Sequence, residues 1–212
     1  MQLVHQKAEV YAEQFSSPLD ELKERIVAHT EKYHAHAHML SSRTQGKLLE
    51  FFSCMLNPSK ILEIGTFTGF SALCLCKGLQ PGGMLHTIEL REEDAATAQQ
   101  YFSESEYANR IKLHLGDANT IVKALDEEWD IIFIDADKVN YINYYELTLP
   151  KLKQGGWLIA DNVLFHGQVL EEEITGKNAL AIHAFNEHVK KDPRVEHVML
   201  TIRDGLMLIK KI

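Results

Sequence analysis

Two near-continuous apolar runs, WDIIFI at 129–134 and GGWLIA at 155–160, each end in side chains able to bind a cation. Asp135-Ala136-Asp137-Lys138 follows the first run and Asp161-Asn162 follows the second. Runs of this kind read as strands buried on both faces of a parallel sheet. Ligands of open α/β sheets bind beyond the carboxyl ends of the strands, so the two ends are expected to converge on one site. Asp135, Asp161 and Asn162 then offer three oxygen ligands of the type a hard divalent ion takes, with magnesium, manganese and calcium all suited. Lys138, three residues after Asp135, is placed to act on the same site. Taken alone, the acids read equally well as solvated loop residues.

A second stretch bears on a cofactor. Ile61-Leu62-Glu63-Ile64-Gly65-Thr66-Phe67-Thr68-Gly69-Phe70-Ser71 reads as a strand, a tight glycine turn and a helix start, with Gly65 and Gly69 allowing close approach of a ligand. The dinucleotide fingerprint needs a middle glycine, and Phe67 stands there instead, which disfavours an NAD-dependent oxidoreductase. Glu63 puts a carboxylate just before the turn, which repels pyrophosphate and suits a cationic group such as the amine of an amino-acid-bearing cofactor. Glu89 ends the next strand, where an acid commonly holds ribose hydroxyls.

The elements that position these residues alternate from Lys60 onward. KILEI, MLHTIEL, RIKLHLG, WDIIFIDA and GGWLIA are predicted strands. Helices are predicted near Ser71 to Gly78, Glu92 to Ser103, Ala118 to Leu125 and Tyr141 to Leu152, so the class is α/β with a parallel sheet and right-handed crossovers. An irregular loop through Gly167 and a helix around Ala179 to Lys190 follow. VEHVML and GLMLIK, joined by a short turn ending Asp204-Gly205, are then predicted as antiparallel neighbours. Residues 1–57 show helical spacing only, at Leu48, Leu49, Phe52, Met55 and Leu56, and are expected to form a helical cap ended by Asn57-Pro58 on a core of residues 58–212. Nothing marks a domain boundary, so one domain is expected.

Composition narrows the function. With 212 residues, 45% of them apolar, the chain suits one sizeable core. A net charge of -8 with scattered lysines argues against nucleic acid. No run approaches a membrane span and Glu9, Glu13 and Asp20 do not fit a signal peptide, so a cytoplasmic protein is expected, without membrane partners. Cys54, Cys74 and Cys76 are each read as buried core thiols, since Cys-x-Cys does not fit zinc spacing. Glu171, Glu172 and Glu173 read as a solvated face. Tyr141, Tyr144 and Tyr145 read as core or dimer packing rather than substrate stacking.

The run ILEIGTFTGFS, the acid at the end of the second strand, GDA at 116–118, IDADK and DNVLFHG together resemble the cation-dependent O-methyltransferases, the group of the caffeoyl-coenzyme A and catechol enzymes. The resemblance covers roughly residues 34 to 210. It implies a Rossmann-like class I methyltransferase fold: a seven-stranded, mostly parallel sheet with one antiparallel strand in its C-terminal hairpin and helices on both faces. It also implies S-adenosylmethionine as cofactor, with contacts on Met39, Ser41, Glu63, Gly65, Ser71, Glu89, Asp117, Ala118 and Asp135. The cation ligands fall on Asp135, Asp161 and Asn162, with Lys138 as the catalytic lysine and Asp135 beside it.

The chemistry agrees with those residue types. A phenol with pKa about 10 is mostly protonated at neutral pH, and a divalent ion on both oxygens of a catechol lowers that value. Lys138 would take the proton, its own pKa depressed by neighbouring cations. The expected partner is a small aromatic diol, and a homodimer is expected. A non-catalytic S-adenosylmethionine-binding protein would need neither Lys138 nor the cation set. Phe165, where plant members commonly have tryptophan, and His166 leave the acceptor open. His34, His36 and His38 are expected to line the cofactor or acceptor entrance, with metal binding as the alternative.

Overall fold

The computed structural model describes residues 3–212. Seven strands form one sheet in the order β3-β2-β1-β4-β5-β7-β6. They are β1 (Lys60–Ile64), β2 (Met84–Glu89), β3 (Ile111–Leu115), β4 (Trp129–Ile134), β5 (Leu152–Asp161), β6 (Val195–Leu200) and β7 (Leu206–Lys211). Pairing is parallel from β3 across to β5, and β7 runs antiparallel between β5 and β6. β1 is flanked by β2 and β4, so the chain leaves β1 in one direction and returns on its other side. That reversal opens a crevice at the carboxyl ends of β1 and β4, where α/β sheets bind ligands.

Successive central-strand residues point to opposite faces, and both faces are buried. Ile131 and Phe133 of β4 pack with one cluster and Ile132 and Ile134 with the other. The first face is covered by α2 (Glu21–Tyr33), α3 (Arg43–Leu56), α4 (Phe70–Cys76) and α5 (Glu92–Glu104). The second is covered by α6 (Ala118–Ala124), α7 (Tyr141–Thr148) and α8 (Lys177–Lys190). The amino-terminal helices are therefore more than a cap: α2 and α3 are part of the packed helix layer, whereas α1 (Gln6–Gln14) buries no residue.

The helix expected to reach Leu152 stops at Thr148, because Pro150 lies in a 3₁₀ turn and Leu152 already starts β5. Cys74 and Cys76 are buried as expected, but Cys54 is exposed. The buried stripe of α3 runs through Gln45, Gly46, Leu49, Glu50 and Ser53, and Cys54 lies one position past it, with Met55 68% exposed beside it.

A buried charge cluster fastens the amino-terminal layer. Glu50 of α3 accepts from Lys23 of α2 at 2.8 Å, from Lys47 at 2.7 Å and from Lys77, just after α4, at 2.7 Å. Burial opposes its ionisation, but the three ammonium groups outweigh burial and hold the carboxyl at about 2. Its contribution to stability is complete above the ordinary value of 4.5 and is lost as pH falls from there through about 2. Glu50→Gln leaves Lys23, 3% exposed, without its buried partner. It is expected to cost about 3 kcal/mol in urea unfolding at pH 7, with the gap to wild type closing as the pH is lowered toward 2. An equal cost at every pH would show packing, not charge, to be the cause.

Candidate active site

A cavity of about 870 Å³ lies over the crevice. Of the residues expected to function, Met39, Ser41, Gly65, Ser71, Glu89, Asp117, Ala118, Asp135, Lys138 and Asn162 all line it. Glu63 and Asp161 do not.

The β1 loop forms its floor. Gly65 has φ 104, and a Cβ there would lie 1.9 Å from the carbonyl oxygen of Asp135. Its glycine is thus required by the approach of the backbone just after β4, and it also lines the cavity. Phe67 adopts a left-handed φ of 50, held by its N–H donating to Glu89 Oε2 at 2.7 Å. Glu89 also accepts from the backbone N–H groups of Leu90 and Arg91, each at 2.9 Å. Three fixed donors aim this carboxylate into the cavity.

Glu63 departs from expectation. It is fully buried beneath the loop and accepts from Ser71 Oγ at 2.6 Å and Thr87 Oγ1 at 2.5 Å. Burial, with Asp135 and Glu89 adding to it against those hydroxyl donors, lifts its carboxyl to about 8. Burial thus disfavours its charged form, and it holds Ser71, which does face the cavity.

At the ends of β4 and β5, Lys138 Nζ stands 3.0 Å from Asp135 Oδ1 and 2.7 Å from the Tyr141 hydroxyl. Tyr141 in turn donates to the Asp161 carbonyl at 2.9 Å. Asp161, although the last residue of β5, is 1% exposed. Its Oδ2 accepts from Gln45 Nε2 at 2.7 Å and its Oδ1 from the N–H of Asn162 at 2.7 Å. Burial first, then the nearby charge of Asp135, pushes its carboxyl upward. Burial pulls the Lys138 pKa down, but the protein's own groups, the Tyr141 hydroxyl, Asp135 and Asp161, outweigh burial and leave it raised.

The residues that orient this set escaped the sequence reading. Asp204, in the turn between β6 and β7, accepts from Asn162 Nδ2 at 3.3 Å and from the His166 N–H at 2.5 Å. Taking the amide's NH₂ group leaves the Asn162 carbonyl oxygen for the cavity. Asn162, Phe165 and His166 all have positive φ, of 58, 42 and 55, a strained wall that this carboxylate pins. Gly205 permits the approach, since a Cβ there would lie 2.6 Å from Leu164 Cγ. Across the cavity His34 Nε2 lies 2.8 Å from Asp94 Oδ1, and its ring packs edge-on against Phe67 at 4.6 Å. His38 lines the cavity, as expected of the entrance. The three histidines lie in a row, ring centroids 5.9 Å apart for His34 and His36 and 6.0 Å for His36 and His38; among the described residues the group of His, Cys, Asp or Glu side chains close enough to share a metal ion is Glu146, His188 and Asp192. Arg194 bonds to both of its acids.

A model of the O-methyltransferase family matches residues 12–212. The chain belongs to that family. It is 30% identical over 208 residues to probable caffeoyl-CoA O-methyltransferase 1 of Dictyostelium discoideum, which spans 95% of this chain and 90% of that protein. It is 32% identical over 163 residues to the catechol O-methyltransferase of Niastella koreensis, spanning 75% of this chain and 74% of that one. Among solved structures, the SAH-bound methyltransferase PaMTH1 of Podospora anserina matches with a TM-score of 0.90 at 27% identity, over 97% of this chain and 94% of that one.

In this O-methyltransferase, Tyr141 and Tyr145 are core residues with no exposed surface, while Tyr144 lines the cavity and donates to Asp137. Glu171, Glu172 and Glu173 are solvated, as expected. No helix among the described residues is long and apolar enough to cross a membrane.

Proposed function

We propose that this O-methyltransferase moves a methyl group from S-adenosylmethionine to one hydroxyl of a vicinal aromatic diol, with a divalent cation held by Asp135, Asp161 and Asn162. The observation that carries the reading is one cavity lined both by Glu89, Gly65 and Asp117 and by Asp135, Asn162 and Lys138. The names of the relatives, caffeoyl-CoA and catechol O-methyltransferases, and the SAH in the Podospora structure, support it.

The oxygen set fits a hard cation. Asp161 is a buried carboxylate under repulsion from Asp135, and Asn162 has its nitrogen tied to Asp204. Each carboxylate oxygen carries two lone pairs, so the bonds to Gln45 and Asn162 leave acceptor capacity. When bound, the cation would lower the diol's pKa and fix the attacking oxygen, while the sulfonium supplies an electrophilic methyl. Lys138 Nζ takes the hydroxyl proton. Asp135 and Asp161 are two of the groups that raise the lysine against burial, after the Tyr141 hydroxyl, so a cation held by them would remove their part of the rise and shift Lys138 toward a base's working range. Glu89 holds the ribose hydroxyls, Ser71 and Gly65 the amino-acid end, Asp117 and Ala118 the adenine, and Met39 and Ser41 close over the donor.

Labelled S-adenosylmethionine with a panel of catechols tests the reading: product is expected with magnesium and is expected to vanish in excess chelator. Undiminished turnover with chelator removes the cation from the proposal. For the donor site, Glu89→Ala is expected to weaken S-adenosylmethionine by roughly 1.5 to 3 kcal/mol in calorimetry, the range for a hydrogen bond to a charged group. Unchanged affinity would place the adenosine elsewhere.

A further inference from the structure

The turn between β6 and β7 carries a second chemically active residue. Arg203, beside Asp204, lines the same cavity and is half-buried with a left-handed φ of 50. Its Nη2 donates to the backbone carbonyl of His38 at 3.3 Å, in a segment that also lines the cavity. The bonds of Asp204 to Asn162 and His166 fix this turn against the acceptor wall.

Elsewhere in the chain arginines on acidic surfaces are paired: Arg25 with Glu104, Arg43 with Glu24, Arg91 with Asp94 and Arg194 with Asp192. Arg110 is satisfied by two backbone carbonyls. Among the described residues Arg203 has no carboxylate within ion-pair distance, and the carboxylate next to it is turned to Asn162 and His166. A guanidinium offers five N–H donors in a fork that matches a carboxylate, and here one long bond to a carbonyl is made. Leaving such a cation half-desolvated costs free energy that an anionic ligand group recovers.

Charge at the rest of the cavity sets the direction. Glu89, Asp135 and Asp137 lie at the ends of the parallel strands, with Asp137 already engaged by Tyr144 and Asn140. Glu9 also lines the cavity, from the solvent-exposed helix α1. Of the other cations that line the cavity, Lys138 is paired with Asp135 and Arg91 with Asp94, so an anionic group on the acceptor is repelled by the strand-end acids and drawn to Arg203.

We propose that Arg203 is an anion subsite for the methyl acceptor, and that the acceptor is an aromatic vicinal diol bearing a carboxylate. The diol faces Asp135 and Asn162 and the carboxylate faces Arg203; this rests on the diol reading above. Arg203 is a specificity residue and takes no part in proton transfer.

The test compares 3,4-dihydroxybenzoate with its methyl ester on the whole protein, with S-adenosylmethionine and magnesium. The acid is expected to exceed the ester in kcat/KM by roughly tenfold to a hundredfold, the range of a charge-assisted hydrogen bond. In Arg203→Met that ratio is expected to fall to about one, and in Arg203→Lys, which keeps the charge but loses the fork, to an intermediate value. Equal use of acid and ester by the wild type, or a ratio unmoved in Arg203→Met, overturns the subsite and leaves the diol reading standing. If neither compound is methylated, calorimetric titration of the acid into protein saturated with S-adenosylhomocysteine decides separately. Binding lost in Arg203→Met supports the subsite while the diol chemistry fails, and binding indifferent to Arg203 overturns both. A third arm uses the coenzyme A thioester of a dihydroxycinnamate: an Arg203-dependent preference for it over the free acid overturns the carboxylate in favour of phosphate.

Discussion

Replacing Lys138 with methionine is expected to lower turnover of a catechol by roughly 10²- to 10⁴-fold, the usual contribution of a positioned acid or base. Methionine keeps most of the apolar stem, so the loss reports the nitrogen. Lys138 Nζ lies 3.0 Å from Asp135 and 2.7 Å from the Tyr141 hydroxyl, which anchor it at the cavity edge. The variant also removes a positive charge from beside two carboxylates, so cation affinity, read by titration, is expected to hold or tighten. S-adenosylmethionine affinity is expected to change little, because the contacts proposed for the donor come from β1, β2 and α6. Near-normal turnover across pH 6 to 9 would show that the diol needs no protein base and would reduce Lys138 to a positioning role.

The second large effect is expected from Asp161→Asn. The substitution keeps shape and hydrogen-bonding capacity toward Gln45 but removes the charge. Cation affinity is expected to fall by at least roughly 10²-fold, more than the loss typical of residues that only orient a ligand, and turnover at low magnesium with it. Stability should move the other way. Asp161 is a buried carboxylate repelled by Asp135, so removing its charge relieves both burial and repulsion, and the variant's Tm in chelator is expected to equal or exceed that of wild type. Manganese titration by electron paramagnetic resonance and calorimetry in chelator read the two effects independently. Unchanged manganese affinity would remove Asp161 from the cation set, and a large drop in Tm would make it a structural residue instead.

Much of this protein is determined by its sequence because the relevant physics is local. Apolar runs mark central strands such as β1 and β4, since a strand buried on both faces admits almost nothing else, whereas the edge strands β3 and β6 keep exposed residues among their apolar ones. The ends of β4 and β5 announce Asp135, Lys138, Asp161 and Asn162, since a parallel sheet delivers its strand ends to one side. The turn at Asp204-Gly205 is likewise visible as chain chemistry.

What the sequence left undecided is what depends on partners far along the chain. Asp161 is desolvated by packing and bonded to Gln45, 116 positions away, so its burial could not be read from a strand end. Glu63 reads as a carboxylate beside the glycine turn, yet Thr87 and Ser71 close over it and burial raises its carboxyl. Against burial, the protein's own groups raise Lys138, the Tyr141 hydroxyl first and then Asp135 and Asp161, the last of them brought to it only by folding. Asp204 looks like a turn residue and becomes the anchor of Asn162, 42 positions away, only once β7 pairs with β5. Residue type and spacing thus determine which groups reach the site. Their charge, orientation and solvent exposure are set by tertiary packing, because each is a property of the surroundings and not of the residue.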